Sequence, residues 1–431
     1  MKVPSIKLSL FICIAIILLQ GGQLFASDTE TEEIALPLLI QIALDRNPKL
    51  KAAYHSWKSE EQRYYTEKAL NDPVFSYTYP IDAIETRLGP QDQVFKITQK
   101  LPFPGKLSLK GKIAKKEALI AKSKYELLQK EITADIKRSY YELCYITKAI
   151  EIAGENKKIL AYFKDISKKN YGLDLAKLDE VVRAQNQYAG AVLELIKLND
   201  TRTHIISRIG ALTNTDPASL KLKTEKLERV ELIFSLNDLT EFAKANHDGV
   251  RASKLEIEKN ELKKKLARLR YLPDFSIGVN HTSIGEPDYS VIGGGRDATA
   301  VMFSINIPLW FRKNSKEVKA STMKIDAARS TKISTINEVS DNVTRLFSMY
   351  TNTTEIIKLY GTSLVPEAKS SAGLAKARYS SGEEKLARLL ETQSMWLRFR
   401  LVYERALTDH MISIAELEKL TGVKLNIKEA I

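Results

Sequence analysis

The sequence predicts a mainly α-helical protein with a small β part, in which two similar halves follow one another along the chain. Three observations favour this fold class. Only 13 prolines and 19 glycines occur among the 431 residues, which favours long helices because both residue types weaken helix interiors. Four short segments alternate apolar and polar side chains, as β-strands do. The helical and alternating segments recur in the same order in both halves.

The composition excludes several classes of protein. Hydrophobic residues make up 44% and charged residues 28% of the chain, which is typical of globular proteins. The 5 histidines and 2 cysteines are scattered without metal-ligand spacing, and no nucleophile motif occurs. We therefore expect no enzyme activity, no catalytic residue, no cofactor and no metal site. The net charge of +13 could suit nucleic acid, but the basic runs lack interleaved aromatic residues, so we expect no nucleic-acid partner.

The N-terminus has the pattern of a secretory signal peptide. Lys2 and Lys7 flank the start of an apolar run at 8–19, and small residues follow up to Ala26. This run is too short for a membrane-spanning helix. We expect residues 1–26 to be a signal peptide that exports the protein, and an uncleaved anchor helix is the alternative.

An internal repeat of about 200 residues organises the chain. At a constant offset of 208 residues, a tyrosine, a lysine, a leucine and a glutamine recur in the two halves. Chance similarity between amphipathic helices is the alternative, but strand-like pieces also recur in the same order. We expect a first repeat at 27–213, a linker at 214–235, a second repeat at 236–424 and a tail at 425–431. The matched pairs are Tyr171 with Tyr379, Lys177 with Lys385, Leu178 with Leu386, and Gln185 with Gln393.

Each repeat follows the same predicted plan of a helix, two strands, a very long helix and a second helix. A helix of about 65 residues is about 100 Å long at 1.5 Å per residue, and the two shorter helices should stack along it. Gly361 and Pro366 predict a kink in the second long helix. The first repeat has predicted helices at 36–70, 105–169 and 176–212, with strands at about 74–80 and 93–101. The second has predicted helices at 236–271, 314–378 and 384–420, with strands at about 274–283 and 299–309.

The four alternating segments have about the length of membrane-spanning strands. Four strands cannot close a barrel, and unpaired strand edges cannot face lipid. In a membrane, several chains would therefore have to pool their strands, and three copies would supply twelve. The alternative is a soluble four-stranded sheet whose apolar face packs on a helical core. The residues that we expect on the apolar, lipid-facing side are Phe75, Tyr77, Tyr79, Phe95, Ile97, Phe275, Ile277, Val279, Val301, Phe303, Ile305 and Ile307.

Several motifs carry a family resemblance over nearly the whole exported chain. They include IALDRNPKLKAA at 42–53, NDPVFSYTY at 71–79, ITQKLPFPGK at 97–106 and LLETQSMWL at 389–397. Each motif is degenerate, but their order, spacing and twofold repetition are specific. On these motifs the chain resembles the TolC-type outer membrane efflux proteins, also called outer membrane factors. The QKLPFPGK stretch is most similar to the branch linked to heavy-metal and cation efflux.

This resemblance implies a homotrimer in the outer membrane of a Gram-negative-type envelope. Four strands per protomer would close a twelve-stranded β-barrel in outer membrane lipid, and a long antiparallel α-helical barrel would extend into the periplasm. The implied function is the exit duct of a tripartite efflux or type I secretion system, with passive conduction. The implied partners are a periplasmic adaptor (membrane fusion) protein and an inner-membrane pump of the RND or ABC type. A soluble periplasmic adaptor or a structural coiled-coil protein is the alternative.

By the same resemblance, the two helix-turn-helix tips would form the periplasmic aperture and contact the adaptor. Arg388 stands where an acidic residue is often found in the family, and Glu384 where a basic one can sit. Four residues apart on one face of the predicted helix, these two side chains could pair within the chain, which leaves Glu391 as the better candidate for a ring of carboxylates. The tip candidates are Tyr171, Gly172, Asp174, Asp179, Glu180, Tyr379, Gly382, Glu384, Arg388 and Glu391.

Overall fold

The computed structural model describes residues 34–82, 84–290 and 292–425, and the backbone of a strand at 427–429. The predicted signal peptide, 1–26, lies outside the described residues. The described chain is mainly α-helical, as the sequence predicts. None of its described helices combines the length and the apolar character needed to cross a membrane.

The first half begins with two helices where the sequence predicts one continuous helix. Helix α1 (Leu36–Arg46) stops at Asn47, and helix α2 (Pro48–Lys68) begins directly after it. Pro48 disfavours helical backbone at the residue before it. The Asn47 side chain caps the new helix by accepting a hydrogen bond from the backbone N–H of Leu50 at 3.1 Å. The break is therefore fixed by local chemistry.

The rest of the first half contains three strands and two long helices. The first of these helices has 67 residues, which makes it about 100 Å long. A short extra strand pairs with the beginning of the third strand, which therefore starts earlier than the sequence predicts. In chain order, the elements are β1 (Val74–Thr78), β2 (Ile84–Thr86), β3 (Gly89–Leu101), α3 (Lys106–Gly172) and α4 (Leu178–Thr213).

The second half repeats this order, except that its described residues contain no counterpart of β2. A π-helical turn at Tyr360–Leu364 interrupts its long helix beside Gly361 and Pro366, where the sequence predicts a kink. A short strand, β4 (Val230–Leu232), precedes this half and pairs with the last strand, β7. The elements after β4 are α5 (Leu236–Asn246), α6 (Asp248–Arg268), β5 (Phe275–Ile284), β6 (Ala298–Ile305), α7 (Phe311–Leu359), α8 (Val365–Ser380), α9 (Leu386–Thr421) and β7 (Ile427–Glu429).

The helices pack side by side, with α3 and α9 at the centre of the layer. Helix α3 contacts α2, α4, α6 and α9, while α9 contacts α3, α5, α7 and α8. Both α2 and α4 lie along α3, as the helix lengths predict. Helices α4 and α8 therefore lie at opposite margins of the layer.

Buried apolar side chains join the two halves at several levels. One cluster packs Ile136 of α3 and Leu39 of α1 together with Ile412 of α9. Near the far ends of the long helices, another cluster packs Phe163 of α3 against Leu389 of α9. Each cluster contains side chains from more than one helix. Their burial therefore stabilises the packing of the helices against one another.

A polar junction fixes the start of β5 against the first half of the chain. The Asp274 carboxylate accepts hydrogen bonds from the backbone N–H of Phe103 and from the Lys106 ammonium group, both at 2.8 Å. The backbone N–H of Asp274 donates to the side-chain oxygen of Asn306, just after β6. Burial alone would raise the pKa of Asp274, but the hydrogen bonds from Lys106 and Phe103 outweigh it, so the pKa lies below its usual value.

Replacement of Asp274 by alanine should weaken this junction in a pH-dependent way. We expect Asp274→Ala to lower the free energy of unfolding by about 1.5–3 kcal/mol at neutral pH, because the junction loses hydrogen bonds to a charged group. Since the folded-state pKa is lowered, this contribution is present above the unfolded-state pKa and is lost as the pH falls through the folded-state value. Denaturant unfolding of both proteins, from neutral pH to about pH 3, measures the difference.

The matched control for this prediction is Asp326→Ala. That change removes an exposed carboxylate that pairs with Arg329 of the same helix at 3.5 Å. Exposed pairs of this kind contribute at most about 1 kcal/mol. An equal loss of stability in both variants, or a loss for Asp274→Ala that does not change with pH, would contradict the role given to Asp274.

Candidate functional site

The central sheet is an antiparallel array with two open edges. Its strands follow the order β1-β3-β5-β6, and β2 adds to the outer part of β3. Every pairing in this array is antiparallel. Among the described residues, β1 and β6 each have a partner on one side only. The sheet therefore presents two rows of backbone groups that are free to pair with another chain.

One face of the sheet is apolar across its full width. Phe75 of β1 lies opposite Ile97 of β3, which lies opposite Val279 of β5, which in turn lies opposite Val301 of β6. Ring contacts on the same face confirm the alignment, with centroids 6.0 Å apart between Phe275 and Phe303. Side chains on one face of a sheet alternate with those on the other, so this face collects the apolar set that the sequence predicts.

This apolar face is not covered by the described helices. Val301 is 74% exposed, Phe303 is 70% exposed and Phe75 is 65% exposed. Burial of such side chains is worth about 1.5–3 kcal/mol each, so a bare face of this size needs a partner or a lipid environment. The alternative of a sheet packed on a helical core through its apolar face is therefore wrong.

Most of the predicted apolar residues lie within the strands, and two lie just beyond them. Tyr79 follows the end of β1, and Ile307 follows the end of β6. The strand predicted to reach residue 309 stops at Ile305, because Ile305 lies opposite Phe275, where its partner strand β5 begins. Both side chains remain exposed, so they extend the apolar surface past the strand ends.

The opposite face of the sheet is polar. Ser76, Lys96, Asn280 and Ala300 lie in one row across the four strands. Neighbouring rows on this face consist mainly of threonines, serines, a glycine and an alanine, with two valines and a methionine among them. The sheet is therefore amphipathic, with an apolar side and a side suited to water.

The two helical hairpins end in turns of the same conformation. In the first, the backbone N–H of Leu175 donates to the carbonyl of Asn170 at 2.9 Å. In the second, the N–H of Glu383 donates to the carbonyl of Arg378, also at 2.9 Å. These donors and acceptors are related by the 208-residue offset of the sequence repeat. The two turns therefore share the same backbone hydrogen bond as well as the sequence repeat.

A left-handed residue closes each turn, and its identity differs between the hairpins. Asp174 has φ of 56° and Gly382 has φ of 81°, and the two positions are again 208 residues apart. Gly172 is instead the last residue of α3. Sequence analysis places Gly172 and Asp174 together at the tip without assigning the left-handed position. Aspartate tolerates this conformation better than most residues because its short side chain bonds locally.

The two equivalent tyrosines of the tips have different surroundings. Tyr171 is exposed, whereas the Tyr379 ring packs edge-on against Phe163 with centroids 6.2 Å apart. Burial raises the pKa of Tyr379, so its hydroxyl stays protonated. Tyr379 therefore joins the second hairpin to the first, and Tyr171 is free to face solvent or a partner.

The predicted pairing of Glu384 with Arg388 is wrong. Helix α9 begins at Leu386, so Glu384 lies in the turn, where helical spacing does not apply. Arg388 instead pairs with Glu391 at 2.9 Å, and both side chains are more than half exposed. Asp179 and Glu180 lie in the first turn of α4, where carboxylates suit the helix dipole. Within the described tips, Glu391 is thus a paired carboxylate.

Other chemistry has little support in the described part of the chain. No group of three His, Cys, Asp or Glu residues there is arranged to hold a metal ion. Cys144 is buried, and burial raises the pKa of its thiol, which keeps the thiol protonated. The prominent surface features of the described residues are the amphipathic sheet and the two hairpin tips.

This combination defines a class of protein in which long helices carry a small open sheet with a bare apolar face. Residues 239–423 match the family model described as outer membrane efflux protein. That match confirms the resemblance to TolC-type outer membrane efflux proteins and lies within the second half of the chain. None of the curated proteins matches the sequence.

Solved structures of low sequence identity share the fold. A membrane protein from Pseudomonas aeruginosa matches with a TM-score of 0.78 and 14% identity, over 90% of this chain and 93% of that chain. The outer-membrane channel OprN matches with a TM-score of 0.78 and 15% identity, over 90% and 89%. The outer membrane protein VceC from Vibrio cholerae matches with a TM-score of 0.76 and 15% identity, over 90% and 96%.

A pair of glycine substitutions tests the left-handed turn of the second tip. An added Cβ has no atom within 4 Å at Gly382 or at Gly373, so neither substitution creates a clash. Gly382→Ala should still destabilise the tip by about 1–2 kcal/mol, because Gly382, unlike Gly373, has a positive φ, which alanine disfavours. Hydrogen exchange of the tip amides, followed by mass spectrometry, should show faster exchange in this variant.

Gly373→Ala is the matched control, with the opposite expected sign. Gly373 lies inside α8, where alanine is favoured over glycine by about 1 kcal/mol. Exchange in this hairpin should therefore slow. Slower exchange at the tip in Gly382→Ala would contradict the turn described above.

Proposed function

We propose that the protein is an outer membrane channel and works as the exit duct of a tripartite efflux or type I secretion system. The observation that carries this proposal is the amphipathic sheet with open edges and a bare apolar face. The proposed location is the outer membrane of a Gram-negative-type envelope, with the helices in the periplasm and residues 1–26 as the export signal.

The sheet supports a trimer for physical reasons. Unpaired backbone groups cannot lie in hydrocarbon, so a membrane sheet must close on itself. Three copies would pool twelve strands if β1 of each copy pairs with β6 of its neighbour. The apolar face would then contact lipid and the polar face would line a water-filled barrel. This arrangement would satisfy both edges and both faces at once.

The helices support a duct that crosses the periplasm. Helix α3 is about 100 Å long, and the sheet and the tips lie at opposite ends of it. We infer that the helices of three copies form a barrel whose tips contact a periplasmic adaptor protein. An inner-membrane pump of the RND or ABC type would supply the energy. The duct itself would conduct passively, without catalysis or a cofactor.

The tip residues are proposed to form the aperture and the adaptor contacts. Because Arg388 neutralises Glu391 in each copy, a threefold ring at this level would carry both signs of charge. Tyr171, Asp174, Asp179 and Glu180 remain the candidates on the first hairpin. A soluble adaptor or coiled-coil protein, the alternative, does not explain an apolar sheet face that the described helices leave bare.

The first test of the proposal is the native mass of the detergent-extracted protein from outer membranes. One chain has a mass of 48.6 kDa before any cleavage, and we expect a particle of three chains. Native mass spectrometry or light scattering measures this directly. A soluble monomer that needs no detergent would contradict the channel and favour the alternative.

Two neighbouring residues of β6 provide a sharper test of the sheet orientation. Val301 lies on the apolar face and Ala300 on the polar face. Val301→Arg should cost about 2–4 kcal/mol in the membrane, because it places a charge in the hydrocarbon. Ala300→Arg adds the same side chain to the water-filled side and should be tolerated. The yield of heat-resistant trimer in outer membranes measures both effects, and equal losses would contradict the assignment of the faces.

A further inference from the structure

The polar face of the sheet carries an uncompensated positive charge. Lys96 lies in the middle of this face, opposite Asn280 of β5 and Ser76 of β1. Among the described residues, no carboxylate lies within ion-pair distance of its ammonium group. Lys96 is partly buried and its neighbours across the strands are neutral, so its charge is not compensated within the described chain.

In the described part of the sheet, the middle of this face carries positive charge and no carboxylate. Over the paired stretches of the four strands, the charged residues on this face are Lys96 and Lys100. Lys100 lies near Asp274, whose negative charge offsets it. The remaining residues of the face are neutral, so Lys96 determines the sign of charge in the middle of the sheet.

Carboxylates do occur towards the outer end of the sheet, in the first part of β3 and in the connections between the strands. The nearest along β3 is Asp92, four residues from Lys96, which corresponds to about 13 Å. That distance exceeds the Debye length of about 10 Å at 0.1 M salt. These carboxylates therefore do not neutralise the positive charge of Lys96 in the middle of the sheet. A ligand passing along the polar face would meet two zones of opposite sign.

We propose that Lys96 of three copies forms a ring of positive charge inside the barrel, and that this ring attracts cargo with anionic groups such as carboxylate, phosphate or sulfate. The inference rests on the proposed function, since it needs the closed trimer with the polar face inward. In a narrow water-filled pore with low-dielectric walls, a ring of like charges concentrates counter-ions strongly. The ring therefore favours anionic cargo over free cations at this point of the duct.

Ion selectivity in planar lipid bilayers tests the ring. The reversal potential under a potassium chloride gradient gives the ratio of potassium to chloride permeability, and it can be read even from small currents. Lys96→Gln should raise this ratio by at least about fourfold, because one unit charge at about 5 Å in water already changes the local concentration of one ion by about that factor. Lys96→Glu should raise it further, and Lys96→Arg should keep the wild-type value. Tripolyphosphate should block the chloride current of the wild type more than that of Lys96→Gln.

The matched control is Lys244→Gln, which removes the same charge from the helical part of the chain. Lys244 lies on α5, where it is exposed and pairs with Glu241 at 3.0 Å. This variant should leave the reversal potential unchanged. Conducting trimers of Lys96→Glu with the wild-type potential would overturn the inference and leave the proposed function standing. A wild-type protein that forms neither trimers nor channels would overturn both.

Discussion

The structure depends on one constraint: a four-stranded sheet with a bare apolar face and two open edges is unstable alone in either water or lipid. In water the apolar face is unburied, and in lipid the edge groups are unpaired. Pooling strands between copies removes both problems. The described helices do not cover the face, so they do not relieve the constraint within one chain. We therefore propose that oligomerisation pairs the open strand edges, so that the apolar face of the sheet can lie in lipid.

The helices serve the sheet by holding it at the end of a long rigid layer. Buried clusters join α3 to α9 along their length, and the Asp274 junction links β5 to the first half of the chain. The sheet and the tips are therefore parts of one mechanical unit. The two ends of this unit differ in charge. The tip carries charges of both signs, and the polar face of the sheet carries the positive charge of Lys96.

The tips show where reasoning from sequence spacing stops. The offset of 208 residues identifies Asp174 and Gly382 as equivalent positions, but it does not say that both are left-handed. Helical spacing suggests a pair between Glu384 and Arg388, yet the helix starts at Leu386 and the pair does not form. The predicted helix starts two residues too early, and this difference removes the contact. Side chains four residues apart meet only when both residues are inside the helix. Asn47 is a similar case. The periodicity of the sequence predicts one continuous helix there, but the structure has two helices, and Asn47 caps the second one.

Most of the helices, the four main strands and the two-sided pattern of the sheet can be read from the amino-acid sequence alone. These features follow from local periodicity and from proline and glycine positions, which are properties of short stretches of chain. Three further features require the three-dimensional structure: the apolar face is bare, Arg388 pairs with Glu391, and Lys96 has no acidic partner among the described residues. These facts depend on which distant segments meet, and the periodicity of a single chain contains no information about that.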